Sequence, residues 1–277
     1  RLVVSTSWSD VVLPLEALAR VRELISRKQH EDRVYREWRL DQRIGYGKGV
    51  IALFSGPPGT GKTLLAGLIA KELGYELYQI DLSQIFSRWI GETEKALNKV
   101  FDQAERAHAV LLFDEADALF AKRTEVEDSH DRYANVAVNF LLQRLERYSG
   151  VAVLTTNKDS YLDEALRRRL NLHLQLEEPE VPERLQLWQK HLPRTIPGSD
   201  TVDIASIATD YELTGGYIKN VAVRATFLSA AENVPLSTQQ IRRAAQLELE
   251  DLGRVITWPA ETDPQPSRTM AVDYVER

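Results

Sequence analysis

The chain has 277 residues, 43% apolar and 27% charged, which suits one large folded domain plus a smaller one, because single cores stop growing near about 250 residues. A net charge of −6 argues against a duplex nucleic-acid binder, whose contacting domain is ordinarily basic. The absence of cysteine excludes disulfides, thiol catalysis and cysteine-ligated zinc, and the five scattered histidines (His30, His108, His130, His173, His191) show no paired ligand spacing.

From the N-terminus, the opening "RLVVSTSWSD" is not a signal peptide, and no apolar run approaches the roughly 18 residues of a membrane span. A soluble, cytoplasmic protein without a membrane partner is expected. Because the chain opens on Arg1 rather than Met, it is expected to be a fragment. A short helical segment (15–46) precedes the first strand. From Val50 to Leu176, β-rich runs ("VIALF", "ELYQI", "VLLF", "VAVLT", "LHLQL") alternate with stretches of apolar period near 3.6. That alternation predicts an α/β fold, a parallel sheet with helices on both faces. "EEPEVPE" (177–183) breaks the pattern with two prolines. Beyond it only helical patterns follow: "PERLQLWQKHL", "VDIASIATDY", "GGYIKNVAVRATFLSAAE" and "STQQIRRAAQLELEDL". The expected division is residues 1–178 as an α/β nucleotide-binding domain, 179–254 as a small all-helical domain, and 255–277 as a Pro- and charge-rich tail or partner-docking strand.

"GPPGTGKT" (56–63) lies between a predicted strand and the helix "TLLAGLIAKEL", which Gly74 can terminate. Its glycines let successive backbone N–H groups turn inward toward phosphate oxygens, and the helix N-terminus adds partial positive charge. Residues Pro58, Gly59, Thr60, Gly61, Lys62, Thr63 and Leu64 are therefore candidate nucleotide contacts. Lys62 is expected to reach the β- and γ-phosphates, and the Thr63 hydroxyl to sit on Mg²⁺. "VLLFDEAD" (110–117) is an apolar strand ending in paired carboxylates. Asp114 would enter the Mg²⁺ shell, while Glu115, on the opposite strand face, would polarise the attacking water. The same acids would also suit a helix N-terminus.

These two motifs and their spacing resemble the AAA+ ATPases, a likeness running from about Trp8 to Leu252. The resemblance implies a P-loop αβα sandwich of five parallel strands, an all-helical lid, and nucleotide bound between them at the interface of a homo-oligomeric ring, usually a hexamer. It also implies ATP and Mg²⁺ as the bound cofactors. "TTN" (155–157) matches the family's sensor 1, so Asn157 would orient the water or γ-phosphate. "LDEALRRRLNLHLQL" (162–176) looks like the segment carrying arginine fingers that act on the neighbouring subunit's site. Arg168 and Arg169 are the candidates, with Arg167 as a further one; the family's commoner proline and glycine are absent here. In "TGGYIKN" (214–220) Lys219 takes the sensor 2 position, against the alternative of an exposed helix lysine. Gly215 and Gly216 would permit close backbone approach to adenine or ribose. "WSDVVLP" (8–14) is similar to the segment that packs on adenine, giving Asp10, Val11 and Val12 as base contacts.

In "FSRWIGETEKAL" (86–97), Trp89, Ile90 and Gly91 fit the aromatic–aliphatic–glycine pore loop of classical AAA remodellers. A rigid aromatic there offers large contact area at low entropic cost to an extended polypeptide. Core or subunit packing is the alternative. Lys122, Arg123, His130 and Asp131 stand where a second pore loop would lie, or in a solvated surface loop, and Arg132 and Asn135 could instead face a neighbour. The lid and finger sequences look most like bacterial AAA ATPases encoded with phage-tail-like contractile injection systems. The resemblance thus implies an ATP-hydrolysing ring that threads or remodels protein, with nucleic acid an unlikely partner. The alternatives are a nucleic-acid loader or initiator, for which single-strand stacking on aromatics would serve, and a scaffold whose oligomeric state ATP sets.

Overall fold

A computed structural model of the chain describes residues 1–2, 6–43, 48–82, 92–119, 129–157 and 164–253; the side chains of 92, 93, 118, 119, 129–135, 164 and 165 are not described. Among the described residues five strands, β1 (Val50–Ser55), β2 (Glu76–Asp81), β3 (Ala109–Asp114), β4 (Val151–Thr156) and β5 (Leu172–Gln175), form one sheet in the order β2-β3-β4-β1-β5. The five strands pair with one another in parallel, with Val50 opposite Val151 and Phe113 opposite Leu154, and Leu2 adds a single antiparallel bridge to Leu77 on the outer edge of β2. β1 and β4 are buried along their whole length, as continuous apolar runs in a sheet covered on both faces must be. In β2, at an edge, Leu77 is buried between half-exposed neighbours, since successive side chains point to opposite faces of the sheet.

Helices α1 (Leu15–Gln29) and α2 (Lys62–Leu73) cover one face, where Val21, Leu24, Leu65 and Ile69 pack against Ala52, Phe54, Val110 and Val153. The other face is closed by α3 (Glu92–Ala107) and α4 (Ser129–Arg147), where Leu97, Phe101, Leu141 and Leu145 meet Leu53, Leu111, Phe113 and Leu154. The result is the expected three-layer sandwich. Gly74 does end α2, in the left-handed region at φ 70°, where a residue without Cβ meets no steric cost. Tyr148 anchors the far end of the sheet: its ring stands edge-on to Phe101 at 5.1 Å, and its hydroxyl donates to the Ala109 carbonyl at 3.1 Å.

After the four-residue α5 (Glu164–Arg167) and β5, the regular elements among the described residues are helices: α6 (Val181–His191), α7 (Ile204–Asp210), α8 (Gly215–Glu232) and α9 (Thr238–Asp251). These share a separate core around the fully buried Trp188 with Ile207, Ile218, Val221 and Ile241. Buried Arg184 joins α6 to α7 by donating to the carbonyls of Ala208 and Pro179, each at 2.7 Å. No helix among the described residues is long and apolar enough to cross a membrane.

Candidate functional site

The sheet sandwich and the helical unit enclose a cleft of about 1030 Å³ at the C-terminal ends of the strands, large for a small-molecule site. Its floor is the loop between β1 and α2. Gly56, Gly59 and Gly61 there all have positive φ (133°, 80° and 97°), so the loop curls in a way that L side chains would strain. A Cβ on Gly56 would stand 1.9 Å from the Leu176 carbonyl oxygen. The sequence "GPPGTGKT" thus folds as a curled glycine loop, the shape that its spacing predicts.

Lys62 opens α2 and is 9% exposed. Its ammonium donates to the loop's own carbonyls, Gly56 at 2.6 Å and Pro57 at 2.8 Å. Burial pushes its pKa down, opposed by the charges of Asp114 and Asp117, so a cation is held at the mouth of the cradle at some desolvation cost. Pro58, Gly59, Thr60, Gly61, Thr63 and Leu64 line the same cleft, as do Asp114, Glu115 and Asn157.

One expectation about the acids is corrected. Strand alternation would send Glu115 to the face opposite Asp114; instead β3 ends at Asp114 and Glu115 turns with φ 52°. That left-handed turn carries both residues into the one cleft. Asp114 is engaged on both oxygens, by the Thr155 hydroxyl on Oδ1 and by Gln79 Nε2 on Oδ2 at 2.9 Å.

The helical unit closes directly on the cradle. Gly216 N–H donates to the Gly59 carbonyl at 2.9 Å, and the Thr214 hydroxyl to the Pro58 carbonyl at 3.0 Å. A Cβ on Gly216 would come within 2.9 Å of Gly59 Cα. The close approach expected of these glycines toward a nucleotide is therefore made, in this structure, toward the loop backbone. Lys219 is exposed and lines the cleft.

Asp10, Val11 and Val12 also line it, but the Asp10 carboxylate accepts from the Ser7 N–H (2.7 Å) and hydroxyl (2.9 Å), bonds that lower its pKa. It caps its own short turn. The segment is tied to both units: Trp8 Nε1 donates to Glu72 at 3.0 Å, and Lys190 of α6 donates to the carbonyls of Ser9 and Val11.

Arg168 and Arg169 separate. Arg169 pairs with Glu146 of α4 at 3.1 Å, whereas Arg167 and Arg168 are exposed, and none of the three lines this chain's own cleft. Trp89, Ile90 and Gly91, together with Lys122 and Arg123, lie outside the described residues, as do the side chains of His130, Asp131, Arg132 and Asn135.

Several lining residues were not singled out from sequence. Leu187, Lys190 and His191 project from α6 at i, i+3, i+4 spacing, a shared helix face with no local mark of function. Burial lowers the pKa of His191, with Lys219 and Lys190 pushing the same way and Asp10 opposing. Glu177, Glu178, Glu180 and Glu183, read only as a chain break, form an acidic wall of the cleft.

For a metal, no group of three or more His, Asp or Glu among the described residues is arranged as a complete cage. A hydroxyl and one carboxylate, Thr63 and Asp114, share the cleft. That donor set fits Mg²⁺, which is usually bound by one or two protein oxygens plus substrate phosphates and water.

Comparison with known proteins agrees with this geometry. Residues 52–178 match the family model described as ATPase family associated with various cellular activities (AAA). The chain is 31% identical over 215 residues to Protein SAV of Sulfolobus acidocaldarius, covering 76% of this chain and 26% of that protein. It is 31% identical over 222 residues to the Cell division cycle protein 48 homolog of Archaeoglobus fulgidus, covering 79% and 29%. To the katanin p60 ATPase-containing subunit A1 of Strongylocentrotus purpuratus it is 31% identical over 216 residues, covering 73% and 41%. The chain therefore spans between 26% and 41% of the length of these relatives.

Proposed function

The chain belongs to the AAA family of ATPases through its domain at residues 52–178, and from that premise we propose that it hydrolyses ATP in a homo-oligomeric ring, a hexamer, to remodel or thread protein substrates. The observation that carries the reading is the meeting of Lys62, Thr63, Asp114, Glu115 and Asn157 in one cleft over a curled glycine loop. In this reading the Lys62 ammonium exchanges its two carbonyl acceptors for β- and γ-phosphate oxygens. Thr63 and Asp114 would hold Mg²⁺, which neutralises charge on the phosphates. Glu115 polarises the attacking water and Asn157 orients it.

Asp10, Val11 and Val12 border the base, while Gly216 and Lys219 report nucleotide state to the lid. Residues 1–178 act as the nucleotide-binding domain and 179–254 as the lid. The trans arginine is Arg168, with Arg167 beside it, because both guanidinium groups are exposed while Arg169 is spent on Glu146. Trp89 and Ile90 grip the polypeptide. Relatives named as a Cdc48 homolog and a katanin subunit favour the remodelling branch. The lid and finger sequences favour work on a contractile injection particle, which a pull-down with purified sheath and tube proteins would test; no binding in any nucleotide state removes that assignment.

Glu115→Gln should bind ATP and fail to turn it over, and wild-type hydrolysis by that variant rules out the catalytic assignment. The wild-type rate per subunit should rise with protein concentration as the trans arginines engage. Unfolded protein should stimulate it, and Trp89→Ala should lose that response while keeping basal turnover. Stimulation by single-stranded DNA alone would replace the substrate class.

A further inference from the structure

One buried hydroxyl on β4 serves both acidic positions of the site. Thr155 is 1% exposed and stands one step beyond the Phe113–Leu154 pair of the β3–β4 ladder, which sets it beside Asp114. A hydroxyl has one proton to donate and lone pairs to accept with. Thr155 gives its proton to Asp114 Oδ1 and accepts the Glu115 backbone N–H at 3.1 Å. The other Asp114 oxygen is held from the opposite side by Gln79 of β2. The next residue, Thr156, bonds Asp117.

Glu115 has φ 52°, a conformation that non-glycine residues hold only when their surroundings impose it. The bond from its N–H to Thr155 is one such constraint, applied at the residue that must aim at a water molecule. Reacting groups lose efficiency when displaced by an ångström or less. A side chain that fixes both the metal-side carboxylate and the turn of the water-side glutamate therefore sets the site's geometry without touching substrate.

We propose that Thr155 is a positioning residue for ATP hydrolysis, orienting Asp114 toward Mg²⁺ and holding Glu115 in its left-handed turn; this rests on the hydrolytic reading above. Valine has threonine's shape without the hydroxyl, so Thr155→Val removes both bonds and little packing.

The test measures kcat, KM for ATP, the half-saturating Mg²⁺ concentration, nucleotide affinity and thermal midpoint for wild type, Thr155→Val, Thr155→Ser, Gln79→Leu and Glu115→Gln. For Thr155→Val the expected result is a fall in kcat and a rise in half-saturating Mg²⁺ of about tenfold or more, the range typical of lost outer-shell contacts. Nucleotide affinity should stay within about threefold, and Thr155→Ser, which restores the hydroxyl, should return kcat to within about threefold of wild type. Gln79→Leu, at an exposed edge position, should raise the Mg²⁺ requirement while kcat at saturating Mg²⁺ falls less, because Glu115 stays held. If Thr155→Val does not fold, Thr155→Ala, which also removes the hydroxyl, takes its place in the same comparison with Thr155→Ser, and Gln79→Leu tests the Asp114 half separately.

A Thr155→Val enzyme with wild-type kcat and Mg²⁺ dependence overturns the proposal. So does a loss that merely tracks the unfolded fraction, or a serine variant as impaired as the valine one. A Gln79→Leu enzyme with an unchanged Mg²⁺ requirement overturns the Asp114 half of it. A wild type that turns over no ATP would instead sink the hydrolytic reading and this role with it. An active wild type with an inactive Glu115→Gln and a fully active Thr155→Val sinks the positioning role alone.

Discussion

Replacing Lys62 with methionine separates what this residue does for the fold from what it does for nucleotide. The change removes two bonds, to Gly56 and Pro57 carbonyls at 2.6 and 2.8 Å, each worth about 1.5–3 kcal/mol for a charged donor. Against that stands the cost of holding an ammonium in a site only 9% exposed, of similar size and opposite sign. Burial lowers the pKa of Lys62 from its ordinary value near 10.5, so the folded state binds the proton less tightly than the unfolded one. The resulting penalty is present in full below the folded pKa and fades as pH rises through 10.5. Methionine keeps the apolar stem and removes the buried charge together with its two bonds, terms of opposite sign, so the unliganded variant should differ from wild type by less than about 1 kcal/mol.

The nucleotide term has no such compensation. A ligand at a hundred times its Kd stabilises by about 2.7 kcal/mol, which for a domain of this size raises Tm by about 5–10 °C. Differential scanning fluorimetry with a slowly hydrolysed ATP analogue and Mg²⁺ should show that rise for wild type and none for Lys62→Met. An unliganded Tm lowered by more than about 4 °C would mean the ammonium is a structural pin of the loop. A wild-type nucleotide shift in the variant would mean it does not meet phosphate. Either result refutes the reasoning.

Arg168→Ala should abolish the concentration-dependent part of the ATPase rate, while Arg169→Ala should leave it intact and cost at most about 1 kcal/mol of stability, the ordinary worth of a partly exposed ion pair; steady-state assays across protein concentration distinguish them. Tyr148→Phe deletes the bond to the Ala109 carbonyl in a fully buried site, and should lower stability by about 1–2 kcal/mol in a denaturant titration without changing nucleotide affinity. Because the folded pKa of His191 is depressed by burial, its neutral form is favoured and stability should be lost as pH falls below about 6.5. His191→Gln should flatten that slope in Tm measured against pH, and an unchanged slope would assign it to other groups.

What the sequence determined by itself was whatever is built from neighbouring residues. The curled loop between β1 and α2 is built from adjacent residues, so "GPPGTGKT" specifies it locally, and Gly56, Gly59 and Gly61 take positive φ where that spacing requires it. The strands were legible as short apolar runs because a sheet buried on both faces leaves no room for polar alternation. Four helices after "EEPEVPE" were legible from their period.

The tertiary structure decided what depends on partners distant along the chain. Whether Arg168 or Arg169 is free depended on Glu146, 23 positions before Arg169. Glu115's orientation depended on a left-handed turn capped by a hydroxyl 40 residues away, which period-2 reasoning about an isolated strand could not supply. The acids at 177–183 and His191 became lining residues only when the helical unit docked, through Gly216 on Gly59, against the loop 157 positions earlier. Local periodicity reports which face of an element is apolar; which charged group meets which across that face is fixed by packing, since a side chain's energy depends on neighbours that only the folded chain brings within reach.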